Sequence, residues 1–489
     1  MSLVDVYDRL AAERPDEPAL TFARPPHNDV VRTWRQVAGR SVELAERLGA
    51  ARVPLAGRCA VVLADHPDLL PTLLAIWRNG GVVVPLDARW GDILTARIVN
   101  HSRAVVVLDV AADSMTPSGE SGRVEAVGLP QGTAMISYTS GSTGDPKGVV
   151  LRHRHLLSAY QSGVGALVRL LGRAPGRFGC SMRMSGLGVL GMHYLWAAVV
   201  GAEVVVLPEL TLSSARGYWA ALAAHDVELT YLVPPLVELL NRAAAAPVED
   251  APRPVVLAGA APLVPAVQRR FQERFGAVLL NAYGLTEASF AVFFGDRDAS
   301  GRGTSSIGQP NTAAARVRGA DGAVVEGPAE GELELAGPVV SDGYYDNPDA
   351  TAALFRDGWL ATGDLVRRDE HDRFWIVGRV KEAVMKGGFP VYLSEVEEAA
   401  AGLPGVIEAA AVRLDLPSGE DVGLLVRTGG DGAVEAGALC IELERRLGRH
   451  RAPRRVVCVL HALPRVGQGK VDRRQALALW EALTRASNG

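Results

Sequence analysis

The chain of 489 residues is too long to fold around one hydrophobic core, so we expect a large domain and at least one smaller domain. Hydrophobic residues make up 48% of the chain and charged residues 22%, which is the composition of an ordinary globular protein. A net charge of −4 gives no electrostatic reason to expect nucleic acid or a membrane as a partner.

The cysteines and the N-terminal residues favour a cytoplasmic protein. Residues 1–15 carry both acidic and basic side chains and do not form a signal peptide. No stretch is long and apolar enough to span a bilayer. The four cysteines are far apart and form no CxxC pair, so they predict neither a zinc site nor a disulfide framework and fit a reducing compartment: Cys59, Cys180, Cys440 and Cys458.

The first half of the chain alternates between apolar runs of strand length and segments of helical periodicity. This alternation predicts parallel strands joined by right-handed crossovers, and therefore an α/β layered core. We expect helices at 34–48, 69–77, 93–100, 156–171, 218–224, 236–245 and 262–275. We expect strands at 59–63, 82–85, 105–110, 204–207, 229–233, 255–257 and 278–280.

The pattern changes twice in the second half. From about 308 to 379 the apolar runs become short and alternating, which predicts an antiparallel β subdomain. After residue 379 helices and strands alternate again, over enough residues for a separate small α/β domain. We therefore predict domains 1–379 and 380–489, with helices at 393–401 and 438–447 and strands at 407–412, 422–426 and 456–460.

One loop has the composition of a polyphosphate-binding site. It runs from Tyr138 to Gly148 as Tyr-Thr-Ser-Gly-Ser-Thr-Gly-Asp-Pro-Lys-Gly, between two runs that are expected to be strands. Its glycines allow close approach of the backbone, its hydroxyls donate to phosphate oxygens, and Lys147 supplies a charge. Pro146-Lys147-Gly148 distinguishes it from the Walker pattern. The alternative is a Ser/Gly surface turn.

A second polar cluster follows the strand expected at 278–280, where ligands of α/β sheets bind. It reads Asn-Ala-Tyr-Gly-Leu-Thr-Glu from Asn281 to Glu287. Glu287 is a candidate ligand of Mg²⁺, Thr286 can donate to a phosphate, and Tyr283 can stack on a base. The alternative is a helix that begins with Thr286 as its N-cap.

Three further positions each carry a functional and a structural interpretation. Asp364, after Thr-Gly, can accept two ribose hydroxyls or form an Asp turn. The segment 378–388, with Lys381 and Glu382 exposed, is a hinge or a linker. Lys470, presented by glycines, can stabilise developing negative charge in a site or be solvated.

Two patterns are more easily explained without a function. The segment 444–455 contains six arginines and one glutamate, and is a solvated helix end or a patch for the phosphates of coenzyme A or for an acidic carrier protein. The GxGxxG match at 186–191 would open a dinucleotide site, as in a nicotinamide-dependent dehydrogenase. It lacks an acid that clearly ends a second strand, and a chance match is favoured in a chain with 53 glycines.

Taken together, in this order and spacing, these motifs resemble the adenylate-forming superfamily, which includes acyl- and aryl-CoA synthetases, adenylation domains of peptide synthetases and luciferase. The resemblance covers most of the chain, and the loop 138–148 is its most specific part. It implies an α/β fold with a large N-terminal domain of layered α/β subdomains plus a small β subdomain, followed by a small mobile α/β C-terminal domain.

The resemblance also implies a reaction in two steps. A carboxylate attacks the α-phosphate of Mg·ATP to give acyl-AMP and pyrophosphate. A thiol of coenzyme A, or of a carrier protein's pantetheine, then takes the acyl group. The alternatives are an enzyme that stops at the adenylate or passes it to an amine, and a non-catalytic nucleotide-binding relative.

The family roles fall on particular positions of this chain. Lys470, Thr286 and Glu287 would be catalytic, Glu287 would also hold Mg²⁺, and Lys381 would be the hinge. ATP would be bound by Thr139, Ser140, Gly141, Ser142, Thr143, Gly144, Lys147, Gly259, Ala260, Ala261, Asn281, Ala282, Tyr283, Gly284, Asp364, Val377 and Arg379. The substrate pocket would include Arg183, Met184, Gly259 and Ala288.

The segment 181–187 departs from the family pattern. Arg183 stands where acyl-CoA synthetases usually have His, and no acid lies between Arg173 and Leu195, where amino-acid-activating members usually place an Asp. We therefore predict a substrate without an α-amino group. Arg183 either pairs with a second anionic group of the substrate, or turns outwards or forms a salt bridge.

Overall fold

The structure is a computed structural model. It describes residues 1–489 apart from 25–27, 55, 119–127, 140–145, 248, 250, 299–302, 312, 387–388, 417–418, 430–433, 467–469 and 487–489.

The N-terminal segment supplies part of a first sheet and all of a second. Two helices begin at capping boxes, with Ser2 and Thr33 as the N-caps. The elements are α1 (Leu3–Glu13), β1 (Pro18–Phe22), β2 (Val30–Thr33), α2 (Trp34–Ala50), β3 (Arg58–Leu63), α3 (Leu69–Arg78), β4 (Val82–Asp87), α4 (Asp92–Ser102), β5 (Val106–Asp109), β6 (Ser114–Pro117), β7 (Thr133–Thr139) and β8 (Lys147–Arg152).

The next segment completes the first sheet. Its elements are α5 (His153–Leu171), β9 (Arg177–Cys180), α6 (Leu187–Leu190), α7 (Trp196–Val200), β10 (Glu203–Val206), α8 (Tyr218–Ala224), β11 (Leu229–Leu232), α9 (Pro234–Ala243), β12 (Val255–Gly259), α10 (Pro265–Phe275), β13 (Leu279–Gly284) and β14 (Ala291–Phe294). A π-helical turn, Gly191–Leu195, joins α6 to α7, and single 3₁₀ turns lie at Ala215–Gly217 and Thr286–Ala288.

The remaining elements form an antiparallel sheet and then a small α/β unit. The sheet contains β15 (Ala314–Arg318), β16 (Val324–Val325), β17 (Ala329–Ala336), α11 (Pro348–Leu354) as an insertion, β18 (Phe355–Arg356), β19 (Trp359–Arg368) and β20 (Phe374–Arg379). After a 3₁₀ turn, Val380–Glu382, follow β21 (Ala383–Lys386), β22 (Phe389–Tyr392), α12 (Leu393–Ala401), β23 (Val406–Leu416), β24 (Gly419–Thr428), α13 (Ala436–Leu447), β25 (Arg455–Val459), β26 (Arg465–Val466), β27 (Lys470–Val471) and α14 (Arg473–Ala486).

The strand order confirms the expected α/β core. The first sheet has the order β14-β13-β12-β11-β9-β10-β1-β2 and the second β6-β5-β3-β4-β7-β8. Interior neighbours are parallel, whereas the edge pairs β1/β2, β13/β14, β5/β6 and β7/β8 are antiparallel. The carboxyl ends of the interior strands therefore meet along one edge of each sheet, which is where α/β proteins bind ligands.

Buried side chains separate the N-terminal part from the C-terminal part. The largest hydrophobic cluster runs from Leu3 to Phe374, whereas two smaller clusters cover residues 384–456 and 410–476. This division gives a large and a small domain. The position of the boundary, between residues 379 and 380, stays a prediction.

Trp196 connects the helices of the large domain to the strand that follows the Thr286–Glu287 turn. Its ring is fully buried, lies edge-on to Phe290 and stacks on Phe294 with 5.3 Å between each pair of ring centroids, and its indole N–H donates to the carbonyl of Tyr160 at 3.1 Å. The packing of this one ring thus fixes how the segment after Glu287 sits against α5 and α7.

We expect Trp196→Ala to lower the free energy of unfolding by about 3–5 kcal/mol, because it leaves a large cavity and removes the hydrogen bond from the indole to Tyr160. Urea unfolding followed by circular dichroism measures the change. Ile441→Ala is the control, because Ile441 is 71% exposed and its loss should change the stability by less than about 0.5 kcal/mol. Equal effects of the two substitutions would contradict this account of the core.

Candidate active site

The predicted phosphate loop is held at its two ends by an antiparallel strand pair. β7 and β8 pair so that Thr139 lies opposite Lys147. Five residues of the predicted site, Ser140, Gly141, Ser142, Thr143 and Gly144, lie outside the described residues. The two strands expected around the loop are confirmed, and Lys147 is the first residue of β8.

Lys147 and Glu287 both contact Tyr344, a residue that the sequence analysis did not select. The Lys147 ammonium lies over the Tyr344 ring, 5.0 Å from its centroid. The Tyr344 hydroxyl donates to Oε1 of Glu287 at 2.7 Å. Two charges of opposite sign, from segments far apart in sequence, therefore converge on one aromatic side chain.

Thr286 is not the N-cap of a helix, so the structural alternative for this segment is wrong. β13 ends at Gly284, and Thr286 is the first residue of a single 3₁₀ turn. The N-cap position of this turn is Leu285, and no side chain caps it. The Glu287 carbonyl accepts from the backbone N–H of Ser341 at 2.8 Å. Thr286 and Glu287 therefore lie just beyond the carboxyl end of a parallel strand, as a ligand site requires.

Gly259, at the end of β12, leaves room for the neighbouring strand. A Cβ atom on Gly259 would lie 2.3 Å from the carbonyl oxygen of Ala282, so only glycine fits. The next residue, Ala260, has a φ of 65°, and Ser289, after the Glu287 turn, has a φ of 69°. Two non-glycine residues thus adopt the left-handed conformation on either side of this strand end, a form of local strain that is common at functional sites.

Asp364 binds two of the residues predicted to surround the nucleotide. It lies on β19 opposite Arg379 on β20, and its Oδ1 accepts from Nε of Arg379 at 2.5 Å. Its Oδ2 accepts from the Tyr283 hydroxyl at 2.6 Å. Because Asp364 is a strand residue, the alternative of an Asp turn is wrong.

Burial, with the negative charge of Asp364 next to it, raises the pKa of Tyr283 well above its usual value, so its hydroxyl stays protonated and donates.

Two other predicted nucleotide contacts have partners within the protein. The Asn281 side-chain amide donates to the carbonyl of Ser305 at 3.4 Å, and the Val377 carbonyl accepts from the Ser394 hydroxyl at 2.9 Å. The latter bond joins the large domain to the small one.

Lys470 opens the second strand of a hairpin in the small domain. It is an exposed residue, yet the protein around it lowers the pKa of its ammonium group, first through burial of the charge and then through repulsion from Arg379. Asp364, Glu287 and Glu382 oppose this shift. Lys470 therefore lies within electrostatic reach of the residues that form the site in the large domain.

The segment at the predicted hinge is a single 3₁₀ turn between two strands. Lys381 is exposed, as expected, whereas Glu382 is only partly exposed. Nη2 of Arg473 lies 3.1 Å from Oε2 of Glu382, and Arg473 also pairs with Glu397. Arg473 follows closely after Lys470, so this ion pair connects the hinge turn to the hairpin that carries the lysine.

Arg183 forms a salt bridge, which is one of the two alternatives for it. Its Nε and Nη2 lie 3.1 and 3.0 Å from Oε2 of Glu209, and half of its side chain is exposed. The neighbouring Met184 N–H donates to Oδ1 of Asp65 at 3.1 Å. Burial raises the pKa of Asp65, and the Glu209 charge adds to this effect. Two acids thus reach this segment from other parts of the fold.

Met184 and Ala288, which are predicted to line the substrate pocket, expose no surface in the structure. Both are fully buried. In this conformation neither has surface that a substrate can contact, so their place in the substrate pocket stays a prediction.

The structure also bears on the GxGxxG match at 186–191 and on the arginine-rich segment 444–455. The GxGxxG segment spans α6, and a Cβ atom on Gly191 would lie 3.0 Å from the Tyr160 hydroxyl and 3.1 Å from the Phe290 ring. Its last glycine therefore serves helix packing.

Five arginines of the segment 444–455 have acidic partners: Arg445 and Arg446 with Glu442, Arg449 with Glu444, Arg451 with Glu395, and Arg454 with Asp421.

Several site residues were missed because their partners are distant in sequence. Asp65 follows an expected strand, and Tyr344 belongs to a Gly-Tyr-Tyr-Asp-Asn-Pro turn. A polar residue after a strand and an aromatic residue in a turn are both common, so neither pattern was specific enough to select Asp65 or Tyr344 as a site residue. Glu209 and Arg473 carried no distinguishing pattern.

A magnesium ion fits the site only as a complex with a ligand. Among the described residues no group of three or more His, Cys, Asp or Glu side chains is arranged to hold a metal. Glu287 offers Oε2 beside the Oε1 atom that Tyr344 contacts. Mg²⁺ commonly takes one or two carboxylates together with substrate phosphates and water, and a single carboxylate beside a phosphate loop matches that ligand set.

Two negative findings concern the rest of the chain. Within the part that the structure describes, no helix has both the length and the apolar character to cross a membrane. Each of the four cysteines is free of a disulfide.

The fold is that of solved adenylate-forming enzymes. The ATP-bound crystal structure of MatB from Rhodopseudomonas palustris matches with a TM-score of 0.81 and 22% identity, over 99% of each chain. At this level of identity the match establishes the α/β fold, with its large N-terminal and small C-terminal domain.

Two relatives are similar in sequence over most of both chains. The sulfoacetate–CoA ligase of Cupriavidus necator is 33% identical over 421 residues, which are 84% of this chain and 76% of that protein. The indoleacetate–CoA ligase of Aromatoleum aromaticum is 30% identical over 515 residues, which cover 98% of each protein. Residues 7–345 match the AMP-binding enzyme family. The resemblance expected from the motifs is thereby confirmed, and the chain belongs to the family of AMP-binding enzymes.

Proposed function

We propose that this enzyme activates a carboxylic acid without an α-amino group to an acyl-AMP and then transfers the acyl group to the thiol of coenzyme A. The observation that carries this proposal is the electrostatic influence of Arg379, Asp364 and Glu287 on the Lys470 ammonium, whose pKa is lowered by burial and by repulsion from Arg379. These groups come from two domains, and together they offer an ammonium, a metal-binding carboxylate and a charged pair at one site.

The nucleotide would lie along the carboxyl ends of β12 and β13. Thr139 and Lys147, with the loop 140–144 between them, would bind the β- and γ-phosphates. Asp364 and Arg379 would bind the ribose, and Asn281, Ala282, Tyr283 and Gly284, with Gly259, Ala260, Ala261 and Val377, would surround the adenine. The strained backbone at Ala260 supports this placement, since such conformations cluster where ligands bind.

In the first step an oxygen of the acid forms a bond to the α-phosphorus while the bond to the bridging oxygen breaks and pyrophosphate leaves. Negative charge is spread over the oxygens of the transferred group in the transition state. The Lys470 ammonium would lie beside these oxygens and Thr286 would donate to one of them, so that both offset the charge where it develops. When bound to Glu287, Mg²⁺ supplies further neutralisation of the phosphate oxygens.

In the second step the thiol sulfur attacks the acyl carbonyl, and AMP leaves. Lys470 would have to move away to admit the thiol, so we propose that the small domain turns about Lys381 between the two steps. The exposed single turn at Val380–Glu382, between two separately packed cores, supports a hinge at this position.

Coenzyme A is the acceptor that the relatives favour, since both are named CoA ligases. A carrier protein has less support, because the arginine-rich segment that would meet its acidic surface is largely occupied by ion pairs within the chain. We also propose a cytoplasmic location, because ATP and coenzyme A are cytoplasmic substrates and the cysteines are free thiols.

The class of acid depends on Arg183. Glu209 neutralises it, so the segment 181–187 presents a balanced pair rather than a free cation. An uncharged aromatic or aliphatic tail is therefore the better match, as in the indoleacetate relative. A second anionic group, as in sulfoacetate, would have to displace Glu209 from Arg183.

Lys470→Ala should lower the rate of acyl-AMP formation by on the order of 10²–10³-fold, the usual effect of removing one transition-state donor. Thioester formation from supplied acyl-AMP should be much less affected, because Lys470 acts only in the first step. Separate rapid-quench assays of the two steps measure both. An equal loss in both steps would contradict the proposed function of Lys470.

The pH dependence of adenylation should report the lowered pKa of Lys470. The protonated ammonium is the active form, so its contribution is complete at low pH and is lost as the pH rises through a pKa below the usual 10.5. Lys470→Arg retains its charge at high pH and should shift this alkaline loss upwards, whatever its absolute rate. An alkaline limb at the same pH in both proteins would contradict the assignment.

Glu209→Gln should release Arg183 and raise kcat/KM for dicarboxylic or sulfonated acids, relative to uncharged acids, by about tenfold, the worth of one charged hydrogen bond. Asp226→Asn is the matched control, because Asp226 forms the same kind of ion pair with Arg177, the first residue of β9, whereas Arg183 follows the other end of β9. No change in the ratio for Glu209→Gln, or an equal change in the control, would mean that Arg183 does not face the acid.

A further inference from the structure

Tyr344 is the one described side chain that we find in contact with both Lys147 and Glu287. Its ring face meets the ammonium of the first, and its hydroxyl donates to the carboxylate of the second. A ring face attracts a cation, and a hydroxyl stabilises an anion, so the two ends of one side chain suit the two charges.

The backbone around Tyr344 is held from both sides. On one side the Ser341 N–H donates to the Glu287 carbonyl at 2.8 Å. On the other, the Tyr345 N–H donates to the Gly148 carbonyl at 2.7 Å, next to Lys147. The segment 341–345 thus bridges the phosphate loop and the metal-binding turn through main-chain bonds, and Tyr344 projects from the middle of this bridge.

We propose that Tyr344 is a positioning residue that keeps Lys147 and Glu287 from pairing with each other and holds each one open for the metal–nucleotide complex. The inference rests on the proposed roles of these two residues. An ammonium and a carboxylate that approach each other without a barrier form a direct ion pair, which would occupy the phosphate-binding charge and the metal ligand together. With Tyr344 present, Glu287 accepts one hydrogen bond at Oε1 and keeps Oε2 for a cation.

Tyr345 provides a matched comparison within the same segment. It is 4% exposed, its ring packs edge-on to His101 at 5.6 Å between centroids, and among the described residues its hydroxyl has no hydrogen-bond partner. It has the same chemistry and the neighbouring position, but it serves packing. Removing its hydroxyl should therefore leave the active site unchanged.

The test measures ATP binding by calorimetry, with and without Mg²⁺, for Tyr344→Phe, Tyr344→Leu and Tyr345→Phe. Tyr344→Phe keeps the ring over Lys147 and should weaken only the Mg²⁺-dependent part of ATP binding, by about tenfold, because Glu287 is no longer held. Tyr344→Leu also removes the ring, so ATP binding without Mg²⁺ should fall by about threefold or more. Tyr345→Phe should match the unaltered enzyme in both measurements.

The two variants and the control separate this inference from the proposed function. Unchanged Mg²⁺ dependence in Tyr344→Phe, with an unchanged urea midpoint, would overturn the positioning role. An equal loss of binding with and without Mg²⁺ in Tyr344→Phe would also overturn it, since that is the result of a general structural defect. Glu287→Gln tests the proposed function itself: if it binds Mg·ATP as the unaltered enzyme does, Glu287 is not the metal ligand.

Discussion

The arrangement of the site depends on the carboxylate of Asp364. It is almost fully buried, and a buried carboxylate is stable only when charged or hydrogen-bonding partners replace water. Arg379 and Tyr283 provide these partners, and they come from β20 and from β13. One side chain therefore ties the antiparallel sheet to the first parallel sheet, and Arg379 is also the last strand residue before the predicted hinge. Moving any of the three would disturb the nucleotide site and the start of the small domain together.

The charged residues of this region also influence Lys470 of the small domain. Lys470 is influenced by Arg379, Asp364 and Glu287, while Arg473 binds Glu382 beside the hinge. Repulsion from Arg379 and burial both disfavour the protonated lysine, so an added anion would be strongly favoured there. A phosphoryl group in transfer is such an anion. Under the proposed function, this electrostatic need would suit a lysine from a separate domain to adenylation, and the need would end when pyrophosphate leaves.

Much of the fold was predictable from the sequence because local patterns determine it. Each expected helix and strand overlaps an observed one, since periodicity and breakers at Gly and Pro carry that information. Strands β1, β2, β6, β9 and β14 were missed because each has only four or five residues, too few for a clear pattern, and helices α1 and α14 were missed as well. The selection of the loop 138–148, Asp364 and Arg379 as candidate site residues followed from recognisable motifs.

Contacts between distant segments were not predictable in the same way. The absence of an acid between Arg173 and Leu195 was a correct reading of that segment, but Asp65 and Glu209 reach it from the loops that follow β3 and β10. Tyr344 acquires its importance only when the fold places it between Lys147 and Glu287. The arginines at 445–454 were predicted to be a solvated helix end, with a phosphate-binding or carrier-binding patch as the alternative, and the sequence did not show that some of their acidic partners lie on other elements. In each case the deciding physical fact is a distance that no local pattern encodes.

The central claim is that this chain adenylates a carboxylic acid before any thiol takes part. ATP–pyrophosphate exchange, measured without a thiol over a panel of aryl, aliphatic, dicarboxylic and amino acids, tests it most directly. The account predicts that at least one acid without an α-amino group supports exchange, and that the amino acids of the panel do not. Exchange supported by amino acids alone, or no exchange with any acid although ATP binds, would contradict it.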